Sequence, residues 1–216
     1  LRLYKTPGLN TVGFEPARNI VEKYGREGVK KVLDDFFNYP AWEKEFSREK
    51  AKVITAIAMF YDLEDPNTFV ADVVKCLDEN GLLVIQMMYL PSFLERNAFD
   101  GICHEHLEYY SLFSLENLLR RHGLEVFDVE VRDINEGSFR VYIRKSGGGK
   151  RLRVPPGAEE RVRKMREEEA RLDLGNKKVY EDFVSRVNDI RAKTKSFIES
   201  EIVKGKKVCV YGASTK

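Results

Sequence analysis

The sequence lacks the cysteine pairs and long apolar runs that would place it in several large classes of protein. Its 216 residues include only three cysteines, Cys76, Cys103 and Cys209, and none of them forms a CxxC pair. This set favours neither a disulfide framework nor a zinc site, and it is typical of a reducing cytoplasm. The apolar runs 53–61 and 82–90 have the length of strands, far below the roughly 20 residues that cross a bilayer. We therefore expect a cytoplasmic protein with no membrane segment.

The sequence also lacks an excess of one charge. Lys and Arg number 37 against 35 Asp and Glu, and the two signs are interspersed along the chain. No basic field large enough for nucleic acid is present, so a small molecule is the expected partner. The pattern gives no indication of an oligomeric state.

Strand-like and helix-like segments alternate through the first half of the chain, as in a parallel sheet with helices on its faces. Short strands are predicted at 11–15 and 29–37. A continuous apolar run at 52–60 predicts a central strand covered on both faces. Helices are predicted from Pro16 to about residue 28, at 42–50, and from the Asp65-Pro66 cap to Gly81, before a strand at 82–89.

The sheet is predicted to end in an antiparallel hairpin. A short helix capped by Ser114 and closed by Gly123 precedes two β runs, 124–131 and 138–144, which flank the turn Asn135-Glu136-Gly137. An alternating α/β sheet with such a hairpin is more typical of class I methyltransferases than of the all-parallel sheets of nicotinamide dehydrogenases. The predicted fold class is α/β, with a Rossmann-like methyltransferase core.

Two glycine- and proline-rich segments mark a boundary after the hairpin, Ser146-Gly-Gly-Gly149 and Pro155-Pro156-Gly157. Residues 158–203 are charged and helical. An apolar stripe, interrupted upstream by Gly175, predicts a helix that packs on a neighbouring domain, with a partner-binding coiled coil as the alternative. The residues of the stripe are Val179, Phe183, Val187, Ile190, Phe197, Ile198 and Ile202.

Acidic and aromatic residues follow the predicted strands, at the edge where an α/β sheet binds its ligand. Glu15 can accept two hydrogen bonds from a ribose diol, although an acid after a strand can also be a solvated turn residue. Asp35 can accept from an adenine amine beside Phe36, which could equally belong to the core. Tyr61 follows the predicted central strand. Three strand ends thus point at one site.

The densest polar cluster is Cys103-His104-Glu105-His106, followed by Tyr109. A carboxylate beside a histidine fixes its tautomer and supports the imidazolium, so the cluster predicts a general base. Two histidines at i and i+2 could instead bind a metal ion, but no HExxH spacing or third ligand accompanies them, and we predict no metal. In a third interpretation, these side chains face water or form hydrogen bonds within a buried loop.

Long motifs closely resemble the sugar C-methyltransferase family, whose members are class I enzymes dependent on S-adenosylmethionine (SAM) and include nucleotide-deoxysugar 3-C-methyltransferases. They are Ala56-Ile-Ala-Met-Phe-Tyr-Asp-Leu-Glu-Asp-Pro66 and Phe99-Asp-Gly-Ile-Cys-His-Glu-His-Leu-Glu-Tyr-Tyr-Ser-Leu112. The resemblance continues through residues 123–128 and 137–141. It reaches the final run, 207–216.

The resemblance implies SAM-dependent transfer of a methyl group to a carbon beside a keto group of a nucleotide-linked deoxysugar. It also implies a protein of three parts: a zinc-binding N-terminal module, the methyltransferase core and a second Rossmann-like domain. On this basis residues 1–147 are the core, 148–204 a helical connector and 205–216 the start of the second domain. The first strand, the glycine-rich SAM loop and the zinc cysteines are expected before Leu1.

The resemblance also assigns roles to residues. His106 is the expected base that removes the proton from carbon, and Glu105 orients or polarises its surroundings. His104, Tyr61 or Tyr109 would donate a hydrogen bond to the enolate oxygen. The expected cofactor-binding residues are Glu15, Pro16, Asp35, Phe36 and Ala58.

Three positions depart from the family pattern. Cys103 stands where a tyrosine is common, Tyr61 where a histidine is common, and Glu136-Gly137 where a double glycine is common. Tyr61 can replace the histidine as a hydrogen-bond donor. The departures bear on the substrate rather than on the fold.

Three other interpretations remain open from the sequence. A SAM-dependent methyltransferase acting on oxygen or nitrogen of a small molecule needs proximity more than a strong base. A nicotinamide-binding domain would use Gly212-Ala213-Ser214 as a phosphate loop. A non-catalytic SAM-fold scaffold would use its long helices to recruit a partner.

Overall fold

The described residues of the computed structural model, 6–24, 29–134, 137–210 and 212, form an α/β fold with two sheets. The strands are β1 (Val12–Phe14), β2 (Lys31–Leu33), β3 (Ala51–Ile57), β4 (Leu77–Met88), β5 (Leu124–Arg132) and β6 (Ser138–Lys145). The helices are α1 (Arg18–Tyr24), α2 (Tyr39–Phe46), α3 (Pro66–Cys76), α4 (Leu90–Glu95), α5 (Leu112–Arg121), α6 (Ala158–Leu172) and α7 (Lys177–Val203). Short 3₁₀ turns occupy Phe60–Asp62 and Phe99–Gly101.

The larger sheet is mixed. Its strand order is β3-β4-β6-β5, and β3 runs parallel to β4 whereas β6 is antiparallel to both β4 and β5. β1 and β2 form a separate parallel pair. The predicted antiparallel hairpin is therefore confirmed as β5 and β6, although Asn135 and Glu136 of its turn lie outside the described residues.

The prediction that the apolar run 52–60 is a central strand covered on both faces was wrong. Within the described sheet β3 is an edge strand, and Val53 and Ile57 are 56% and 46% exposed. Side chains alternate along a strand, and only the face that carries Ile54 and Ala56 packs against the core. A run of apolar residues reveals a strand, but it does not reveal how many of its faces are covered.

Several element boundaries differ from those predicted. α1 begins at Arg18 rather than Pro16, and β2 ends at Leu33 because the chain bends after it. α3 ends at Cys76, before the predicted Gly81, because the next residue already pairs with β3. The N-cap of α5 is Ser111, and its amide donates a hydrogen bond to the Ser114 hydroxyl oxygen in a capping box.

The main core lies on one face of the larger sheet. Alternate residues of β4 and β6 point into it, and all are at most 1% exposed: Leu83, Ile85, Met87, Phe139, Val141 and Ile143. Residues of α3, α5 and α6 complete the same cluster, with Val162 and Met165 contributed by α6. α6 is therefore packed into the core, although it follows the predicted boundary at residue 147.

Two buried carboxylates attach α6 to the core. Asp128 on β5 accepts two hydrogen bonds of 2.8 Å from the Arg161 guanidinium. Glu169 accepts from the backbone amides of Leu112 at 2.5 Å and Phe113 at 2.8 Å, at the beginning of α5. These contacts pair each buried charge with a donor, as burial of a carboxylate requires.

The apolar stripe of α7 divides into two parts. Val179, Phe183 and Val187 pack with Phe93 and Leu94 of α4 in a second cluster of buried residues. Further along, Ile190, Phe197 and Ile202 are 38%, 66% and 55% exposed. The first part of the stripe thus packs on this core rather than on another domain.

Residues 205–216 were expected to begin a second Rossmann-like domain. Residues 207–210 have no regular secondary structure in the described chain, and Tyr211, Ala213 and Ser214 lie outside it. No helix among the described residues is long and apolar enough to cross a membrane.

Candidate active site

The loop that carries the two neighbouring histidines lies against the turn that follows β3. The Tyr61 carbonyl accepts hydrogen bonds from the amides of Leu107 at 3.0 Å and Glu108 at 3.1 Å. At the end of the loop, Tyr110 forms an isolated bridge to Tyr89, just after β4. The chain therefore holds this loop, residues 102–110, across the carboxyl ends of β3 and β4, where α/β sheets bind ligands.

His106 is half-buried, and its partner fixes its tautomer. Nδ1 lies 2.8 Å from the carbonyl oxygen of Gly101. A carbonyl only accepts, so in the neutral ring Nδ1 carries the hydrogen and Nε2 has the free lone pair. The Tyr61 ring lies edge-on to the imidazole, with ring centroids 4.5 Å apart. This arrangement leaves a proton-accepting nitrogen beside a phenol.

Gly101 has no room for a side chain. A Cβ at this position would lie 2.9 Å from Cε of Met88 and 3.0 Å from a ring carbon of Phe93. Its carbonyl accepts a second hydrogen bond from the Tyr109 hydroxyl, at 3.2 Å. Gly101 was not among the predicted site residues, and its position two residues before Cys103 was the available signal.

Burial and charge perturb the groups around His106. Burial raises the pKa of Tyr61, with further contributions from Asp62 and Cys103, so its phenol stays protonated at neutral pH. Burial also raises the pKa of the Asp62 carboxyl; the Glu105 charge adds to this, and His106 opposes it. The pKa of Glu105 is lowered, chiefly by its own backbone amide and the Cys103 thiol, so Glu105 is a carboxylate.

In the structure, neither His104 nor Glu105 orients the His106 ring. Their side chains are 88% and 51% exposed, and His104 Nε2 lies 3.4 Å from a Glu105 oxygen. The orienting hydrogen bond to His106 comes from the Gly101 carbonyl instead. Glu105 acts on His106 only through its charge, because the irregular turn after Gly101 brings that carbonyl, rather than the adjacent carboxylate, to Nδ1.

The structure brings four of the predicted cofactor residues together at the carboxyl ends of β1 and β2. The Glu15 amide donates to the Leu33 carbonyl at 3.0 Å, and its carboxylate accepts from the Ala17 amide at 2.9 Å. Pro16 and Asp35 are exposed there, and the Phe36 ring is 72% exposed. A half-buried carboxylate near an exposed acid and aromatic ring has the chemistry that an adenosine group requires.

Ala58, the fifth predicted cofactor residue, directly follows β3 and has an unusual backbone conformation. Its φ is +52°, a left-handed value that non-glycine residues rarely adopt, and its amide donates to the Gln86 carbonyl at 2.8 Å. Such strain is concentrated at functional sites. Ala58 therefore lies with Tyr61 at the end of β3, apart from the β1–β2 pair.

A chain of aromatic contacts joins these two halves of the site. The Phe37 ring, just after β2, lies 5.1 Å from Phe14 and 5.2 Å from Phe69 on α3. Phe69 in turn lies 5.7 Å from Phe60, the neighbour of Tyr61. These contacts hold the end of the β1–β2 pair against the end of β3. Among the described residues, no group of three His, Cys, Asp or Glu side chains is arranged to hold a metal ion.

The whole length of the chain is similar to known proteins. Residues 1–129 match the family model of a methyltransferase domain, and residues 133–216 match that of a C-methyltransferase C-terminal domain. C-methyltransferase NovU of Streptomyces niveus is 30% identical over 216 residues, which are 100% of this chain and 50% of that protein. The chain thus spans about half the length of this relative.

Solved structures share the fold at low identity. LepI in complex with SAM superposes with a TM-score of 0.51 at 12% identity, over 66% of this chain and 37% of that chain. A SAM-dependent methyltransferase from Thermotoga maritima, described as a possible histamine N-methyltransferase, gives 0.48 at 18% identity, over 62% and 72%. The likeness to LepI concerns the fold alone.

Proposed function

Since this chain belongs to the family of SAM-dependent methyltransferases, we propose that it transfers the methyl group of SAM to carbon, with His106 as the base. The proposed acceptor is a carbon adjacent to a keto group of a nucleotide-linked deoxysugar. The observation that carries this proposal is the hydrogen bond from Nδ1 of His106 to the Gly101 carbonyl, which leaves Nε2 free to accept a proton.

Two likenesses support carbon as the methyl acceptor. Residues 133–216 resemble the C-terminal domain of C-methyltransferases, and the relative NovU is named as a C-methyltransferase. The sugar is supported by the motifs at 56–66 and 99–112, which resemble those of the sugar C-methyltransferases.

A carbon acceptor requires an acid–base step that oxygen and nitrogen acceptors do not. The C–H bond beside a ketone breaks, its proton moves to Nε2 of His106, and the electron pair passes into the enolate. SAM, when bound, supplies an electrophilic methyl group. The imidazolium formed on His106 keeps its hydrogen bond to the Gly101 carbonyl and lies in the field of the Glu105 carboxylate.

Tyr61 is the best placed of the expected donors to the enolate oxygen. Its phenol is protonated because burial raises its pKa, and its ring contacts His106. The Tyr109 hydroxyl already donates to Gly101, and His104 is exposed. A half-buried phenol beside the base offers a preorganised hydrogen bond to the oxygen on which negative charge develops.

The adenosine part of SAM is assigned to the end of the β1–β2 pair. Glu15 would accept from the ribose hydroxyls, and Asp35 with Phe36 would receive the adenine, beside Pro16. Ala58 would border the reacting end of the cofactor. The half-buried Glu15 carboxylate and the exposed Phe36 ring support this assignment.

The proposal is tested on the full-length protein with a 4-keto deoxysugar nucleotide. Without SAM, wild type is expected to exchange the adjacent carbon-bound hydrogen with deuterated water, as read by mass spectrometry. With SAM, His106→Asn is expected to lower kcat by about 10²–10⁴-fold, the range that general-base catalysis supplies. Calorimetry should show a SAM Kd within about twofold of wild type, because His106 does not hold the cofactor.

His122→Asn is the matched control. His122 lies at the end of α5, with Nε2 3.3 Å from the Asn67 side chain, so its replacement should leave turnover unchanged. Full turnover by His106→Asn would overturn the base assignment. Methyl transfer to oxygen or nitrogen without exchange of the carbon-bound hydrogen would contradict the carbon acceptor, and absence of SAM binding by the wild type would favour a non-catalytic scaffold.

A further inference from the structure

Two side chains from one loop donate to the same backbone oxygen. Nδ1 of His106 lies 2.8 Å and the Tyr109 hydroxyl 3.2 Å from the carbonyl oxygen of Gly101. A carbonyl oxygen has two lone pairs and can accept both hydrogen bonds at once. The Gly101 carbonyl is therefore shared between the proposed base and a tyrosine for which the reaction gives no other task.

We propose that Tyr109 is a positioning residue that keeps His106 in its Nδ1–H tautomer by holding the Gly101 carbonyl in place. This inference rests on the proposed function, in which Nε2 of His106 accepts the proton. Tyr109 acts through Gly101 and does not touch the reacting atoms. Its hydroxyl hydrogen is committed to the carbonyl, which leaves Tyr61 as the donor to the enolate oxygen.

Two backbone hydrogen bonds to the Tyr61 carbonyl hold the loop near Leu107 and Glu108. Between Gly101 and Tyr109, the residues Ile102, His104 and Leu107 are largely exposed. The Tyr109 hydroxyl joins the end of the loop to its beginning, across eight residues. Apart from the two side chains, the peptide that carries the Gly101 carbonyl is held by one backbone hydrogen bond, from the Ile102 amide to the Phe99 carbonyl at 3.1 Å.

Tyr109 is itself anchored in the second buried cluster. Its ring lies 5.3 Å from Phe93 on α4, and Phe93 lies 5.5 Å from Phe183 on α7. The same Phe93 ring limits the space beside Gly101. The carbonyl that orients His106 is thus fixed from the protein interior by both packing and a hydrogen bond.

Loss of this hydrogen bond has a specific chemical consequence. A neutral histidine in water favours the Nε2–H tautomer, so the Nδ1–H form requires an acceptor at Nδ1. If the Gly101 carbonyl turns away, the hydrogen moves to Nε2 and that nitrogen can no longer accept a proton. The fraction of His106 competent as a base then falls, whereas the binding of substrate and SAM is retained.

The test replaces Tyr109 by Phe in the full-length protein, which removes the hydroxyl and keeps the ring against Phe93. Long-range ¹H–¹⁵N correlation spectra of neutral imidazoles report the tautomer of His106, with the signal assigned by its loss in His106→Asn. Wild type is expected to be mainly Nδ1–H, and Tyr109→Phe mainly Nε2–H. We expect kcat to fall about tenfold, with acceptor KM and SAM Kd within twofold of wild type.

Tyr180→Phe is the matched control, because its hydroxyl also donates to a backbone carbonyl, that of Leu174, at 2.9 Å. It should leave tautomer and kcat unchanged. An Nε2–H tautomer in wild type, or an unchanged His106 tautomer in Tyr109→Phe, overturns the positioning role. Full turnover by His106→Asn would instead refute the base assignment, while the tautomer measurement would still decide the role of Tyr109.

Discussion

The three cysteines carry the same side chain but differ in how deeply it is buried. Cys76, on the inner face of α3, is fully buried, whereas Cys103 is half-buried in the loop 102–110 and Cys209 is exposed. Burial raises the pKa of the Cys76 thiol to about 12, because a thiolate there would lose its hydration; the nearby Asp72 charge adds to the shift.

We expect this thiol to make the stability of the protein fall with pH above about 8.5. An unfolded thiol ionises near 8.5, whereas the folded one keeps its proton until about 12, so between these values the unfolded state binds fewer protons. The free energy of unfolding should fall by about 1–2 kcal/mol from this source between pH 7.5 and pH 10. Urea unfolding at both pH values measures the loss, and Cys76→Ala should remove it.

Cys209→Ala provides the control for this pH dependence. The thiol of Cys209 is exposed, so this variant should keep the wild-type change between the two pH values. Lysine and tyrosine titrations are common to all three proteins and cancel in the comparison. An identical pH dependence in Cys76→Ala and wild type would show that the buried thiol is not its source.

At the scale of elements, α6 joins the core through a buried carboxylate at the beginning of α5. Glu169 accepts hydrogen bonds from two backbone amides there, those of Leu112 and Phe113. Negative charge at a helix N-terminus is also favoured by the helix dipole. One side chain of α6 therefore caps the beginning of α5.

Glu169→Gln is expected to lower the free energy of unfolding by about 1–3 kcal/mol. The amide keeps one accepting oxygen but places an NH₂ group against a backbone N–H that needs an acceptor. Urea unfolding at neutral pH measures the change. Glu168→Gln, the same replacement at an exposed neighbour, should change stability by less than about 0.5 kcal/mol. Equal effects of the two replacements would contradict the capping role.

The sequence predicted which segments form helices and strands better than it predicted which of their faces are buried. Helical spacing places Ala158, Val162, Met165 and Glu169 on one stripe, and all four are buried. That spacing was a usable signal for Glu169, although it lies in a run of three glutamates. For β3 the apolar run was insufficient, because coverage of its second face depends on which other elements pack there.

The loop 102–110 was predictable in composition but not in geometry. The motif placed His104, Glu105 and His106 in one segment and favoured the carboxylate as the partner of the base. The actual partner, the Gly101 carbonyl, lies five residues earlier, at the last residue of a 3₁₀ turn. Irregular backbone has no periodicity to read, so this contact requires the structure.

At the scale of the whole molecule, sequence families and structure divide the chain differently. The methyltransferase-domain match ends at residue 129 and the C-terminal match begins at 133, close to the end of β5. In the structure, β6 follows that point in sequence yet lies between β4 and β5. The strand that completes the larger sheet therefore belongs to the second match.

This topology predicts that the methyltransferase core does not fold without the residues that follow the first match. A protein ended after Arg132 loses β6, whose Phe139, Val141 and Ile143 are fully buried. Each such side chain contributes about 1.5–3 kcal/mol, and a whole domain is stable by only about 5–15 kcal/mol. A protein ended after Asn176 keeps both β6 and α6. Both shortened proteins keep all residues up to Arg132.

Near-UV circular dichroism during urea unfolding compares the two proteins. We expect a cooperative transition when the chain ends after Asn176, because the sheet and its covering helices α3, α5 and α6 are then complete. We expect no such transition when it ends after Arg132, because β4 and β5 would face each other across the space of a missing strand. A cooperative transition in the shorter protein would mean that β4 and β5 form a stable sheet without β6. The boundary between the two family matches would then also be a structural one.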